Sequence, residues 1–135
     1  MNAVNITKRI LVVDDDPLSL LRTARTLSQA GFEAVLAPSS DAAMRHLAAD
    51  RFDAVVSDVI MPRMSGFELL ETILIRFPGL PVILMTATRH DEMQEAALVC
   101  GAAALLEKPL DARMLIAAVE LGFRNEEQGN YQPAG

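Results

Sequence analysis

Residues 54–62 read Ala54-Val55-Val56-Ser57-Asp58-Val59-Ile60-Met61-Pro62. An apolar, β-branched run meets a single carboxylate, and a proline follows shortly after. Such a run, too short for a helix and bounded by turn signals, reads as a buried strand. The spacing predicts a strand over 52–57, with Asp58 standing where that strand leaves the core. Four further runs have the same form. Ile10-Leu11-Val12-Val13 stops at Asp14-Asp15-Asp16-Pro17, and residues 33–37 stop at Pro38-Ser39-Ser40. Residues 81–85 stop at Thr86, and residues 103–106 stop at Glu107-Lys108-Pro109.

Helical patterns fill the intervals. Asp16 followed by Pro17 is a helix start, because the cap accepts an orphan amide and proline loses nothing at the first position. Leu20, Leu21, Ala24 and Leu27 form its apolar face, and Gly31 closes it. A second helix carries Ala43, Met44 and Leu47. Ser65 and Glu68 make a capping box for a third, with Phe67, Leu70, Ile73 and Leu74 on one face. Residues 91–100 form an alanine-rich fourth helix ended by Gly101. Asp111 caps a fifth, with Leu110 and Leu115 as a hydrophobic staple. Strands alternating with helices predict an α/β fold, a doubly wound parallel sheet with helices on both faces. One domain is expected over 8–124, with a disordered start at 1–7 and a polar tail at 125–135.

Composition narrows the function classes. The chain has 135 residues and a net charge of −6, with no basic run, which argues against direct nucleic-acid binding. The single cysteine, Cys100, cannot form an internal disulfide and suits a reducing compartment. It is expected to be a buried, inert thiol at the end of its helix. No stretch approaches the ~20 apolar residues that span a bilayer, and Asp14 interrupts any signal-peptide core. A soluble, cytoplasmic protein is expected.

All five strand ends of a parallel sheet lie on one edge, where ligands bind in such folds. That edge would collect Asp14, Asp15 and Asp16 from the first strand, Asp58 from the third, Thr86 from the fourth and Lys108 from the fifth. The second strand offers only Ser39 and Ser40. Carboxylates within a few ångström repel unless a proton or a cation joins them. An oxygen-only set favours a hard divalent ion such as Mg²⁺. A lysine and a threonine hydroxyl opposite can hold phosphoryl oxygens. These are the parts of a phosphoryl-transfer site, and an aspartate can itself accept the group covalently.

Four motifs, 10–17, Ser57-Asp58-Val59-Ile60-Met61-Pro62 with Ser65-Gly66, Met85-Thr86-Ala87 and Glu107-Lys108-Pro109, resemble the receiver domains of bacterial two-component response regulators, chemotaxis regulators included. The resemblance covers about residues 8–124. It implies a flavodoxin-like five-stranded sheet of order 2-1-3-4-5. It implies Asp58 as phosphoacceptor, Thr86 as a phosphoryl-binding hydroxyl and Lys108 as the phosphate's counter-charge. It implies Mg²⁺ or Mn²⁺ held by Asp14, Asp15, Asp58 and the backbone carbonyl of Ile60, with Asp14 acting through water. A cis Lys108-Pro109 bond is expected too. The implied donor is a phosphohistidine on a sensor kinase or phosphotransfer protein. The implied target is a downstream effector or output domain, with homodimers a further option. The domain would not be an enzyme acting on others, but a phosphoacceptor that catalyses its own phosphorylation and dephosphorylation. Leu105 replaces the Tyr or Phe that the family often carries in the fifth strand, and Ile60 replaces a polar residue.

Plainer readings exist for each residue. Asp16 is expected to be a cap rather than a ligand, Asp53 and Glu107 solvated, Ser57 strand-end packing, His46 and His90 surface residues, and the methionines core filler. Three other functions compete with the receiver reading. A haloacid-dehalogenase-type phosphatase would use Asp14-x-Asp16, but it leaves Asp58 without a role. A nucleotide or flavin binder needs a glycine-rich turn where this chain has three carboxylates. A receiver-like interaction module that is no longer phosphorylated would have less need of the five polar residues.

Overall fold

A computed structural model of the chain describes residues 7–125. Strands and helices alternate: β1 (Arg9–Val13), α1 (Pro17–Gln29), β2 (Glu33–Ala37), α2 (Ser40–Ala49), β3 (Ala54–Asp58), α3 (Gly66–Arg76), β4 (Val82–Thr86), α4 (Asp91–Val99), β5 (Ala104–Glu107) and α5 (Ala112–Asn125). The five strands form one parallel sheet in the order β2-β1-β3-β4-β5. Fold class and strand order are those expected. The expected termini at 1–6 and 126–135 lie outside the described residues, and α5 runs one residue into the expected tail.

Side chains alternate across a strand, and the two faces bury separate clusters. Leu11, Val55, Leu84 and Leu105 pack beneath α2, α3 and α4, through residues such as Leu47, Leu70, Ile73 and Ala97. Ile10, Val12, Val56, Ile83 and Met85 pack beneath α1 and α5, through Leu20, Leu27, Leu115 and Val119. Both faces of the central strands are therefore covered, which is why β3 and β4 read as unbroken apolar runs.

The expected helix starts are present. Asp16 accepts from the Leu18 amide at 3.2 Å, Ser65 and Glu68 form the capping box, and Asp111 accepts from the Arg113 amide at 2.8 Å. The α4 helix ends with Gly101 at φ +100, a backbone conformation that glycine adopts without cost.

Several residue-level expectations are corrected. Leu21 is 58% exposed, because the buried stripe of α1 is Leu20, Thr23, Ala24 and Leu27, and residue 21 lies a hundred degrees round from residue 20. Cys100 is exposed, not buried, because α4 buries only Ala97, and Leu98, Val99 and Cys100 after it are all open to solvent. Asp53 is not simply solvated: its Oδ2 accepts from the Arg9 amide at 2.8 Å and ties the start of β1 to β3. Met114 is an exposed methionine rather than core filler.

Candidate functional site

The sheet delivers the polar residues to one edge by register. Asp58 is the last residue of β3 and pairs with Met85, one residue before Thr86; Thr86 in turn pairs with Glu107, one before Lys108. The Val59 amide donates to the Met85 carbonyl at 2.8 Å, and the Lys108 amide donates to the Thr86 carbonyl at 2.8 Å. The backbone beyond each strand end is therefore still held by its neighbour. Lys108-Pro109 is a cis peptide.

Carboxylate oxygens of Asp14, Asp15 and Asp58 lie within 4.8 Å of one another. Asp14 is fully buried. Its Oδ1 accepts from the Asp16 amide at 3.0 Å, and its Oδ2 accepts from Lys108 Nζ at 2.8 Å. The same Nζ lies 3.6 Å from Asp58 Oδ2. Asp15 is exposed at the mouth of the cluster. Burial pushes the Asp58 carboxyl above its ordinary value. Lys108 pulls it back down, Asp14 and Asp15 push it up, and the net direction is upward. One ammonium thus stands among three carboxylates. The deficit of positive charge and the all-oxygen donors fit a hard divalent cation.

The remaining site residues stand around this cluster. Thr86 is buried, and its Oγ1 accepts from the Thr88 amide at 3.3 Å and lies 3.4 Å from the Thr88 carbonyl. Its hydroxyl is thus occupied by its own loop. Ile60 follows in the β3–α3 loop with its side chain 67% exposed. Asp16 caps α1 instead of joining the cluster. Ser57 is buried, and its Oγ donates to the Asp58 carbonyl at 3.0 Å, as strand-end packing. A cleft of about 680 Å³ opens beside the cluster, lined by Asp58, Ala87, Lys108, Leu18 and Arg22 among others, so a bulky group can approach Asp58.

Two supporting residues were not legible in the sequence. Gly66 lies against the backbone of the Asp58 strand end: a Cβ there would overlap the Asp58 carbonyl oxygen and stand 2.9 Å from the Val59 Cα. The Gly66 amide donates to the Val59 carbonyl at 2.7 Å. His90 caps α4, its Nδ1 accepting from the Met93 amide at 3.2 Å. The Ser65-Gly66 pair was the available signal for the first; histidine is not among the usual caps, so nothing signalled the second.

The chain is similar to known proteins in sequence and in fold. The family model of the response regulator receiver domain matches residues 10–120. The chain is 41% identical over 111 residues to response regulator protein FleR of Pseudomonas aeruginosa, covering 82% of this chain and 24% of that protein. It is 38% identical over 116 residues to response regulator MprA of Mycolicibacterium vanbaalenii, covering 86% of this chain and 50% of that protein. A CheY-like receiver domain from Methanospirillum hungatei superimposes with a TM-score of 0.83 at 30% identity, over 91% of this chain and 98% of the other. The chain thus spans about a quarter of the length of the first of these relatives and half of the second. Among the described residues, no helix is long and apolar enough to cross a membrane.

Proposed function

Because the chain belongs to the response regulator receiver domain family, we propose that it accepts a phosphoryl group on Asp58 from a phosphohistidine donor in two-component signalling, in a reaction that depends on Mg²⁺. The observation that carries this reading is the cluster itself: Asp14, Asp15 and Asp58 within 4.8 Å, with Lys108 Nζ reaching two of them.

An Asp58 oxygen attacks the donor's phosphorus. The phosphorus–nitrogen bond breaks as the new phosphorus–oxygen bond forms, and the imidazole leaves with the bonding electron pair. An acyl phosphate remains. Lys108 is placed to compensate the charge that accumulates on the phosphoryl oxygens. Thr86 would exchange its Thr88 contacts for a phosphoryl oxygen. Asp14, Asp15, Asp58 and the Ile60 carbonyl are the groups that would hold the divalent cation, Mg²⁺ or Mn²⁺, which supplies charge neutralisation for the transfer. Asp14, already bonded to Lys108 and the Asp16 amide, has the least freedom to bind directly and fits the water-mediated role.

On this reading the chain is a self-phosphorylating acceptor rather than an enzyme acting on others. A sensor kinase or phosphotransfer protein supplies the phosphoryl group, and a downstream effector or output domain reads it. The acidic charge favours a protein partner over nucleic acid, and a cytoplasmic setting is part of this reading. Incubation with Mg²⁺ and a small acyl phosphate, followed by intact mass measurement, tests the proposal. A phosphoryl adduct is expected in the chain and not in Asp58→Ala. A chain that stays unmodified would leave only an interaction module, and an adduct that survives Asp58→Ala would move the site.

A further inference from the structure

A second concave surface lies away from the carboxylate cluster. Between α3 and the end of α4, Phe67, Leu74, Ile75 and Cys100 line a groove of about 400 Å³ whose polar wall is Glu68 and Glu71. Two of its apolar side chains are open to solvent: Ile75 is 73% exposed and Leu74 38%. Exposed apolar surface rimmed by polar residues is the form that protein interaction sites take. The groove depends on local backbone. Gly101 sits so close to Leu74 that a Cβ there would stand 2.8 Å from Leu74 Cδ1, so the α4 turn closes directly on the α3 side chain.

The charges around the groove choose its occupant. Glu68 and Glu71 are the charged residues that line it, and over α3 and α4 as a whole Glu68, Glu71, Asp91, Glu92 and Glu95 stand against a single cation, Arg76. Arg76 lies over the Phe77 ring, with 5.7 Å from its guanidinium to the centroid. A second copy would bring the same carboxylates to a shared interface. Residues 126–135 carry Glu126 and Glu127 and no lysine or arginine. Both are poor electrostatic matches. We propose that the α3–α4 groove docks a basic amphipathic helix of a partner protein, which seats apolar side chains at helical spacing over Leu74 and Ile75 and sets lysines or arginines against Glu68 and Glu71. The proposal is independent of phosphorylation at Asp58.

The test uses the full chain and two synthetic helical peptides, one with leucines on one face and lysines on the other, and a counterpart with the lysines replaced by glutamates. The lysine peptide is expected to shift backbone amide signals at 67–75 and 98–101, with an affinity that falls as salt rises. It should also slow the reaction of Cys100 with an aromatic disulfide reagent several-fold, roughly the burial expected of a docked helix. Glu71→Lys and Ile75→Ser, both at exposed positions, should each weaken binding by about tenfold. The proposal is overturned if the glutamate peptide binds equally, if either variant binds like the parent, or if the shifts map to α1 or α5. Concentration-dependent shifts at the groove without peptide would also overturn it, in favour of self-association.

Discussion

Asp58 is held at a cost. Its carboxyl is buried beside two others, and burial with Asp14 and Asp15 outweighs the pull of Lys108, so its pKa is raised above 3.8. A raised acid pKa means that the folded state holds the proton more tightly than the unfolded one. The stabilising contribution is complete below the unfolded value and is lost as pH rises through the folded one. At neutral pH in metal-free buffer, Asp58→Asn should therefore raise the melting temperature. The gain should shrink as pH falls toward 3.8. A variant no more stable than the parent at pH 7 would show that Lys108 already compensates the charge. Ile60 sets a second property of the same site. Its exposed side chain cannot hold an attacking water, so Ile60→Asn should shorten the aspartyl phosphate lifetime by about one hydrogen bond, roughly 1 kcal/mol or fivefold. A half-life measured by loss of the mass adduct that stays equal or lengthens would contradict this.

At the scale of elements, the sequence was most legible where a local rule acts alone. The strands showed as apolar runs because both sheet faces are covered, and the α1, α3 and α5 starts showed because capping is a contact within a few residues. Leu21 and Cys100 were misread because helical spacing alone does not say which arc the sheet covers. The candidate site was legible as residue types at strand ends, since a parallel sheet puts those ends together regardless of detail. What supports it was less so: the Gly66 contact with the Asp58 carbonyl joins residues across a loop and has no periodic signature. Gly66→Ala tests that contact. The added methyl must displace either the start of α3 or the end of β3, at a cost of about 1–3 kcal/mol. Urea unfolding should register that loss, and phosphorylation by the small acyl phosphate should slow as Asp58 moves. A variant with parental stability and rate would mean the loop yields without disturbing the strand.

Taken as a whole, the molecule concentrates unfavourable charge at one end of a sheet that is otherwise apolar on both faces. Three carboxylates and one ammonium there leave a deficit of positive charge that a proton or a cation can make good, and a cation that binds the folded state alone stabilises it by mass action. Mg²⁺ at a hundred times its dissociation constant should add about 2.7 kcal/mol. For a domain of this size that corresponds to a melting temperature higher by roughly 10 °C. The dependence should be logarithmic in Mg²⁺ above the dissociation constant and small for an equal ionic strength of a monovalent salt, which only screens. Asp15→Ala separates site binding from general screening. Asp15 is exposed, so its removal leaves the buried Asp14–Lys108 pair intact and the fold stable, while the response to Mg²⁺ should fall sharply. Thermal melts of the two proteins across a Mg²⁺ series decide the matter. If both rise together, the cation acts on the overall acidic surface, and the cluster at the strand ends has no metal of its own.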